Sequence, residues 1–89
     1  MFEMTITNAI VVNDNITSIA GPCINKNDFF SGHLIDEKGH VYKANTPFIK
    51  TLVYDDTQVL LEIFGKYDID ELKGRTLKSF QNSAWLNAT

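Results

Sequence analysis

Apolar and polar residues alternate with a period of two over residues 4–12, MTITNAIVV, near the start of the chain. Met4, Ile6, Ile10 and Val12 occupy even positions, and several of the residues between them are β-branched. This combination predicts a strand. As an isolated edge strand, it would offer unpaired backbone amides for strand addition to a partner or to a second copy of the chain.

The residues that follow predict a hairpin. Residues 13–15 tolerate turn conformations and lead into the short apolar run 16–20, ITSIA. We expect Gly21 and Pro22 to end the second strand of this hairpin. The polar residues 25–28 would then extend the break into a loop.

Two further apolar segments predict a second hairpin. They are residues 29–35, FFSGHLI, and residues 40–44, HVYKA, on either side of the acidic turn 36–39, DEKG.

The register of this second hairpin decides where the only two histidines lie. A two-residue loop at 37–38 would place His33 and His40 on the same face, where a histidine pair can bind a metal or sense pH. Gly39 favours a type I turn that begins at Asp36, with the glycine left-handed and Asp36 opposite His40. We therefore predict that the two histidines point to opposite faces.

The segments 48–54, FIKTLVY, and 58–64, QVLLEIF, are dense in β-branched and aromatic residues and predict another pair of strands. The alternative is a helix at about 55–65, begun by acidic residues and ended by Gly65. The strand is favoured because such a helix would be short and its β-branched residues would lose rotamer freedom.

The stretch 65–74, GKYDIDELKG, has a different pattern. Asp68 can cap one helical turn at about 68–73, with acidic residues first and a lysine last, as the helix dipole prefers. Residues 75–80, RTLKSF, alternate again and predict a closing strand. A weakly patterned tail follows at about 82–89.

Six or seven short strands and a single helical turn predict an all-β, mainly antiparallel fold. The expected architecture is a small barrel or roll, OB-like or SH3-like by strand count and size. An α+β fold with a helix at about 55–65 is the alternative. The 89 residues are expected to form one domain, 1–89, since two domains would each be too small for a stable core.

The composition narrows the class of protein. With 44% hydrophobic and 21% charged residues, the chain is too apolar to be disordered, and its net charge of −3 lacks the basic excess of phosphate-binding proteins. Cys23 is the only cysteine, so an internal disulfide is excluded. We recognise no secretory segment, and the apolar runs fall far short of the about 20 residues that span a bilayer. A cytoplasmic protein without a membrane contact is expected.

The sequence carries no pattern that predicts a catalytic centre, a metal site or a cofactor. Carboxylates at 55–56 and 68–71 fit turn and capping positions, and their spacing does not match an EF-hand loop. Two histidines alone fall short of a zinc site, and Cys23 lacks the partners of a catalytic thiolate. A small enzyme or metal-binding protein centred on His33 or the carboxylates is therefore our least favoured functional hypothesis, after the two given below.

Aromatic residues are more numerous than one small barrel needs to bury. Phe29 and Phe30 are adjacent on one predicted strand and must face opposite ways, so we expect one of them at the surface. Together with Tyr42 and Trp85, they are the predicted contacts to a protein partner. Trp85 either latches the tail over an open end of the barrel, which is slightly favoured, or contacts another chain.

The leading hypothesis is a non-catalytic, intracellular module that binds another protein. Abundant isoleucine, asparagine and lysine indicate an AT-rich genome, such as that of a low-GC bacterium, a phage or a mobile element. Small accessory proteins of such elements often bind and block another protein, so an inhibitor or immunity-type role is one version of this hypothesis. The second hypothesis is an OB-like module for single-stranded nucleic acid, in which exposed aromatic rings stack bases and cations contact the backbone. The cations assigned to that role are Lys43, Lys50, Lys66, Arg75 and Lys78.

Overall fold

The computed structural model describes residues 1–29, 31–46 and 57–79, which are mostly β-strand. The strands are β1 Glu3–Thr5, β2 Asn8–Asn13, β3 Ile16–Ile24, β4 Ser31–Asp36, β5 Val41–Asn45, β6 Gln58–Phe64 and β7 Thr76–Ser79. One short helix, α1, spans Ile69–Leu72, and a 3-10 turn spans Lys26–Asp28. The predicted all-β fold is confirmed, and residues 58–64 form the predicted strand rather than the alternative helix.

Six of these strands close into a barrel. Their order is β1-β7-β4-β5-β6-β3, and β3 returns to β1; all of the ladders are antiparallel. β2 is the seventh strand, and it pairs with the part of β3 that lies before the β1 ladder. The predicted small antiparallel barrel is therefore confirmed, with one additional strand attached to the closed ring.

Gly21 lies on β3 at the place where the neighbouring chain passes from β1 to β2. The same edge of β3 pairs first with β2 and then, from Cys23 onward, with β1. A Cβ atom added to Gly21 would overlap the backbone carbonyl oxygen of Thr5, so a glycine is needed for this close approach. The single strand predicted over 4–12 is thus interrupted after Thr5 and resumes at Asn8.

The expected strand end at Gly21 and Pro22 is wrong, because β3 continues through both residues to Ile24. Both residues stay in register with β6. The N–H of Cys23 donates to the carbonyl oxygen of Thr57 on the β6 side (2.8 Å), so the nitrogen of Pro22 faces the other side. Proline at position 22 therefore removes no hydrogen bond to β6. On the opposite edge of β3, Pro22 lies where the pairing strand changes from β2 to β1.

The core lies inside the barrel and includes alternate residues of each of the six ring strands. On β6, for example, Val59, Leu61 and Ile63 are buried while Phe64 is exposed, which resolves the facing of a strand that is apolar on both sides. The other buried apolar residues in the described ranges are Phe2, Met4, Ile6, Ile19, Cys23, Phe29, Leu34, Tyr42, Ala44, Leu72 and Leu77.

The β4–β5 hairpin has the predicted register. The N–H of Gly39 donates to the carbonyl oxygen of Asp36 (3.0 Å), and Gly39 is left-handed with φ of 88°. His33 lies opposite Lys43 and is exposed, whereas His40 lies beside Asp36, whose side chain points inward. The prediction that the two histidines face opposite sides is confirmed.

The predicted helical turn before the last strand is also confirmed. Asp68 caps α1, since its Oδ1 accepts the N–H of Asp70 (3.0 Å). Leu72 anchors the turn in the core, and the chain then enters β7 through an N–H of Gly74 that donates to the carbonyl oxygen of Ile6 (2.7 Å). The helix approaches β2 as well as the end of the barrel.

Candidate functional site

The outer edge of β2 is the candidate site for binding a partner. One edge of β2 pairs with β3, from Asn8 opposite Ala20 to Asn13 opposite Ile16. No strand within residues 1–29, 31–46 or 57–79 pairs with the other edge. A closed barrel has no unpaired edges, so the attached strand supplies one that the ring itself lacks.

The alternation of the backbone shows which peptide groups point away from the barrel at this edge. Cys23 directs its N–H toward β6, and by alternation Ser18 directs its peptide groups toward β2. Ile10 lies opposite Ser18 and therefore forms a hydrogen-bonded pair with it. The N–H and C=O groups of Ala9 and Val11 consequently point outward, and no described residue hydrogen-bonds to them there.

The outer face beside this edge is apolar. Ile10 has an exposed fraction of 68% and Val12 one of 55%, and across β3 the face continues through Ile16 to Phe64, which is 44% exposed. Residues 4–13 contain no charge and no proline, the residue types that usually protect an edge from pairing. The edge therefore combines apolar side chains with backbone groups that no described residue hydrogen-bonds.

The structure places the predicted cations on separate parts of the barrel. The Lys43 ammonium lies over the ring of Phe64, 5.4 Å from its centroid. Lys66 and Lys78 each have a carboxylate 3.7 Å away, from Asp14 and Glu3 respectively. Arg75 forms an ion pair with the buried carboxylate of Asp36. Lys50 lies outside the described residues.

The aromatic residues predicted as partner contacts are not brought together at the surface. Phe29 is buried and stacks on Phe2, with ring centroids 5.1 Å apart. Tyr42 is buried against the edge of Tyr67, with centroids 5.3 Å apart. Both rings therefore belong to the core, and neither presents a surface for contact. Phe30 and Trp85 lie outside the described residues.

A buried carboxylate, that of Asp36, lies at the turn of the β4–β5 hairpin and accepts several hydrogen bonds. The side chain of Asp36 is fully buried and accepts hydrogen bonds from the Tyr42 hydroxyl (2.7 Å) and from Nη1 of Arg75 (2.6 Å). The backbone amides of Lys38 and His40 donate to its other oxygen, each at 2.9 Å. The carboxylate is thus both paired and hydrogen-bonded, as a buried charge requires.

Sequence reasoning missed this cluster because it assigned Asp36 to the turn and Arg75 to a nucleic-acid surface. A signal was present in the predicted register, since Asp36 shares its strand parity with Leu34, which must point into the core. The partner was not deducible, because Arg75 is 39 positions away in the chain.

The ionisation of Asp36 and Tyr42 follows from these contacts. Burial alone would raise the pKa of Asp36, but hydrogen bonds from Tyr42, the His40 amide and Arg75 outweigh it and hold the pKa far below its usual range. Burial, reinforced by the hydrogen bond to Asp36, raises the pKa of Tyr42 to about 12. At neutral pH the cluster therefore contains an aspartate anion and a neutral tyrosine.

A cleft of about 250 Å³ lies against this cluster, between β5 and α1. Its walls include Tyr67, Glu71, Arg75 and His40, whose Nδ1 lies 3.0 Å from Nη1 of Arg75. Arg75 also donates its Nε–H to the carbonyl oxygen of Glu71 (2.6 Å), which ties the helix to the cluster. The arrangement holds a charge pair in place. Across the described ranges, no three residues of the types His, Cys, Asp and Glu group closely enough to hold a metal ion.

The fold and the edge define a small antiparallel β-barrel with one attached strand whose outer side is unpaired by the described residues. No family model, no curated protein and no solved structure matches this chain. In the described part of the chain, no helix is both long and apolar enough to cross a membrane.

Alkaline pH tests the pairing of Tyr42 with Asp36. Because the pKa of Tyr42 is raised from about 10 in the unfolded chain to about 12, its contribution to stability is complete below pH 10 and is lost between pH 10 and 12. We expect the free energy of unfolding, measured by urea denaturation, to fall over that interval. In Tyr42→Phe the fall should be smaller, and an identical pH profile in the two proteins would contradict the assignment.

Proposed function

We propose that this protein is a non-catalytic interaction module that binds another protein by accepting one of its extended segments at the outer edge of β2. The proposal includes an intracellular setting in a low-GC bacterium, a phage or a mobile element. An inhibitor or immunity-type accessory role, in which binding blocks the partner, fits such a module.

One observation supports the proposal above the others: an edge of β2 that no described strand pairs with lies beside an apolar face. In strand addition, main-chain hydrogen bonds provide affinity and alternate side chains provide specificity. The outward peptide groups of Ala9 and Val11 can form the main-chain hydrogen bonds. The side chains of Ile10 and Val12 can provide the apolar contacts that select a partner. The ionic cluster around Asp36 is satisfied internally, and its groups have structural partners already.

Binding of single-stranded nucleic acid is the second candidate, because Lys43 and the exposed ring of Phe64 lie together on the outer face. Base stacking would have to displace the lysine from the ring. Lys66 and Lys78 each lie near a carboxylate, and the charge of Arg75 is paired with the buried carboxylate of Asp36. These charges give the nucleic-acid hypothesis less support than the protein-binding one.

The test is capture of a partner from a lysate of the native host by three immobilised proteins: the wild type, Ile10→Lys and Val41→Lys. Val41 is the matched control, since it is a β-branched residue 48% exposed on β5, away from the edge. We expect a partner that the wild type and Val41→Lys retain and that Ile10→Lys loses. In the complex, the amides of Ala9 and Val11 should be protected from hydrogen exchange relative to the free monomer, as measured by NMR.

Capture that is unaffected by Ile10→Lys, or a complex in which the Ala9 and Val11 amides exchange as fast as in the free monomer, would refute strand addition. Labelled single-stranded oligonucleotides at low salt provide the competing arm. Binding that weakens steeply with salt and is lost in Lys43→Ala would favour the nucleic-acid candidate instead.

A further inference from the structure

The regular part of the β2 edge is very short and is bounded on both sides. Thr7 donates its N–H to the carbonyl oxygen of Ala20 (2.9 Å), the same residue that lies opposite Asn8, so the chain bulges there. A second irregularity falls between Val11 and Asn13. Because bulges bend a strand, only residues 9–11 present a straight edge to a neighbour.

This short edge is complementary to itself. If two copies meet around a two-fold axis through Ile10, Ala9 of each copy lies opposite Val11 of the other. Both residues direct their peptide groups outward, so each such pair exchanges both of its N–H···O=C hydrogen bonds. Ile10 then lies opposite Ile10 of the second copy.

The two neighbouring two-fold registers are less favourable. An axis through Val11 would place Ala9 opposite Asn13, which lies beyond the second irregularity. An axis through Ala9 would place Val11 opposite Thr7, whose N–H is already bonded to β3. The Ile10-centred register is therefore the one in which both outward-pointing residues find a regular partner.

Side chains and charge favour the same arrangement. Ile10 is the most exposed of the large apolar residues in the described ranges, and at the two-fold axis it would pack against its own copy. Such a non-hydrogen-bonded pair brings its Cα atoms to about 4.5 Å, the closest cross-strand spacing. Although each chain carries a net charge of −3, the paired segments are uncharged, so no like charges meet on the strands.

We infer that a second copy of this chain occupies the β2 edge when no other partner is bound, through antiparallel pairing of residues 9–11 about Ile10. The inference rests on the proposed function to the extent that both use the same edge. Self-pairing would cover the edge in the free protein, so that binding of another protein requires dissociation of the dimer.

The first experiment measures molar mass by light scattering and sedimentation from low micromolar to near-millimolar concentration. We expect the wild type and Val41→Lys to shift from the monomer mass of 10.1 kDa towards twice that value. Ile10→Lys places two lysines at the axis and should raise the dimer dissociation constant about tenfold or more, which corresponds to about 1.4 kcal/mol. Circular dichroism checks that each variant is folded.

A second experiment tests the register directly. The Cα spacing of a non-hydrogen-bonded antiparallel pair lies within the range of a disulfide, so Ile10→Cys should form a covalent dimer under mild oxidation. Val12→Cys and Val41→Cys are the controls, because neither residue meets its own copy in this register. Peptide mapping identifies the joined residues, since native Cys23 is also present but buried.

A wild type that remains at the monomer mass at the highest concentration would overturn the inference. A dimer whose dissociation constant is unchanged by Ile10→Lys, or one in which Val12→Cys crosslinks as readily as Ile10→Cys, would overturn it as well. These outcomes leave the proposed function intact, because a monomer can still capture a partner at the edge. Conversely, capture of a partner that is unchanged by Ile10→Lys would refute binding of the partner at the β2 edge, but it would not contradict the dimer.

Discussion

Replacing Gly21 with alanine is expected to prevent normal closure of the barrel and to cost more than about 3 kcal/mol of stability. The added Cβ would overlap the carbonyl oxygen of Thr5, a backbone atom that cannot rotate away as a side chain can. Relief would require β1 to move from β3, which would disturb the ladder that joins the ring. Urea denaturation measures the loss, and circular dichroism shows whether any folded protein remains.

Gly39→Ala is the matched control for this substitution. Gly39 has φ of 88° and no atom near its added Cβ, so alanine there costs about 1 kcal/mol in backbone strain without an overlap. Gly21 has no such positive φ, and its backbone conformation alone would accept alanine. If Gly21→Ala proved no more destabilising than Gly39→Ala, the close approach of β1 to β3 would be wrong.

Replacing Asp36 with asparagine is expected to lower the free energy of unfolding by about 3 kcal/mol at neutral pH, because it leaves Arg75 and the Tyr42 hydroxyl without their anion. Urea denaturation again provides the measurement. Asp28→Asn is the control: Asp28 forms an exposed ion pair with the N-terminal ammonium (3.0 Å), whose loss should cost less than about 1 kcal/mol.

The same substitution should change the response to acid. The folded-state pKa of Asp36 lies below the unfolded value of about 3.9. Its contribution to stability is therefore complete above about pH 3.9 and is lost as the pH falls from there through the folded-state pKa. We therefore expect the wild type to lose stability more steeply below pH 4 than Asp36→Asn does. Parallel acid profiles of the two proteins would show that Asp36 is not the anion that the cluster requires.

Local signals were sufficient for some parts of the fold. The register of the β4–β5 hairpin follows from Gly39, because a left-handed residue at the end of a type I turn allows few alternatives. The helical turn at α1 follows in the same way from the capping residue Asp68. In both cases the determining residues are neighbours in the sequence.

Other features depend on contacts between distant residues, which no local pattern contains. Gly21 and Pro22 have the composition of a strand end, yet the close approach of Thr5 and a change of partner strand keep them within β3. The sequence predicts Arg75 as a surface cation, because its ion pair with Asp36 forms only when the barrel brings β4 and the start of β7 together.

The candidate site was predicted only in part. The sequence predicts an edge strand over residues 4–12, but which half of it stays at an edge depends on how the barrel closes. β1 pairs with β7, whereas no strand of the described ranges pairs with the outer side of β2. Phe29 and Tyr42 are not surface contacts, because Tyr42 points into the closed barrel and Phe29, just before β4, packs on Phe2. Exposure of an aromatic ring is a property of the whole sheet, and composition alone does not determine it.

The pairing of β1 with β7 also affects how the chain folds as it is synthesised. Residues 3–5 pair on one side with Cys23 and Ile24 of β3, but their partner on the other side comes only with residues 76–79. A nascent chain that ends before β7 cannot complete the ring, and it keeps open strand edges that are prone to non-native association. The ring must therefore close late, around pairs separated by most of the chain, and such non-local closure is characteristic of slow folding.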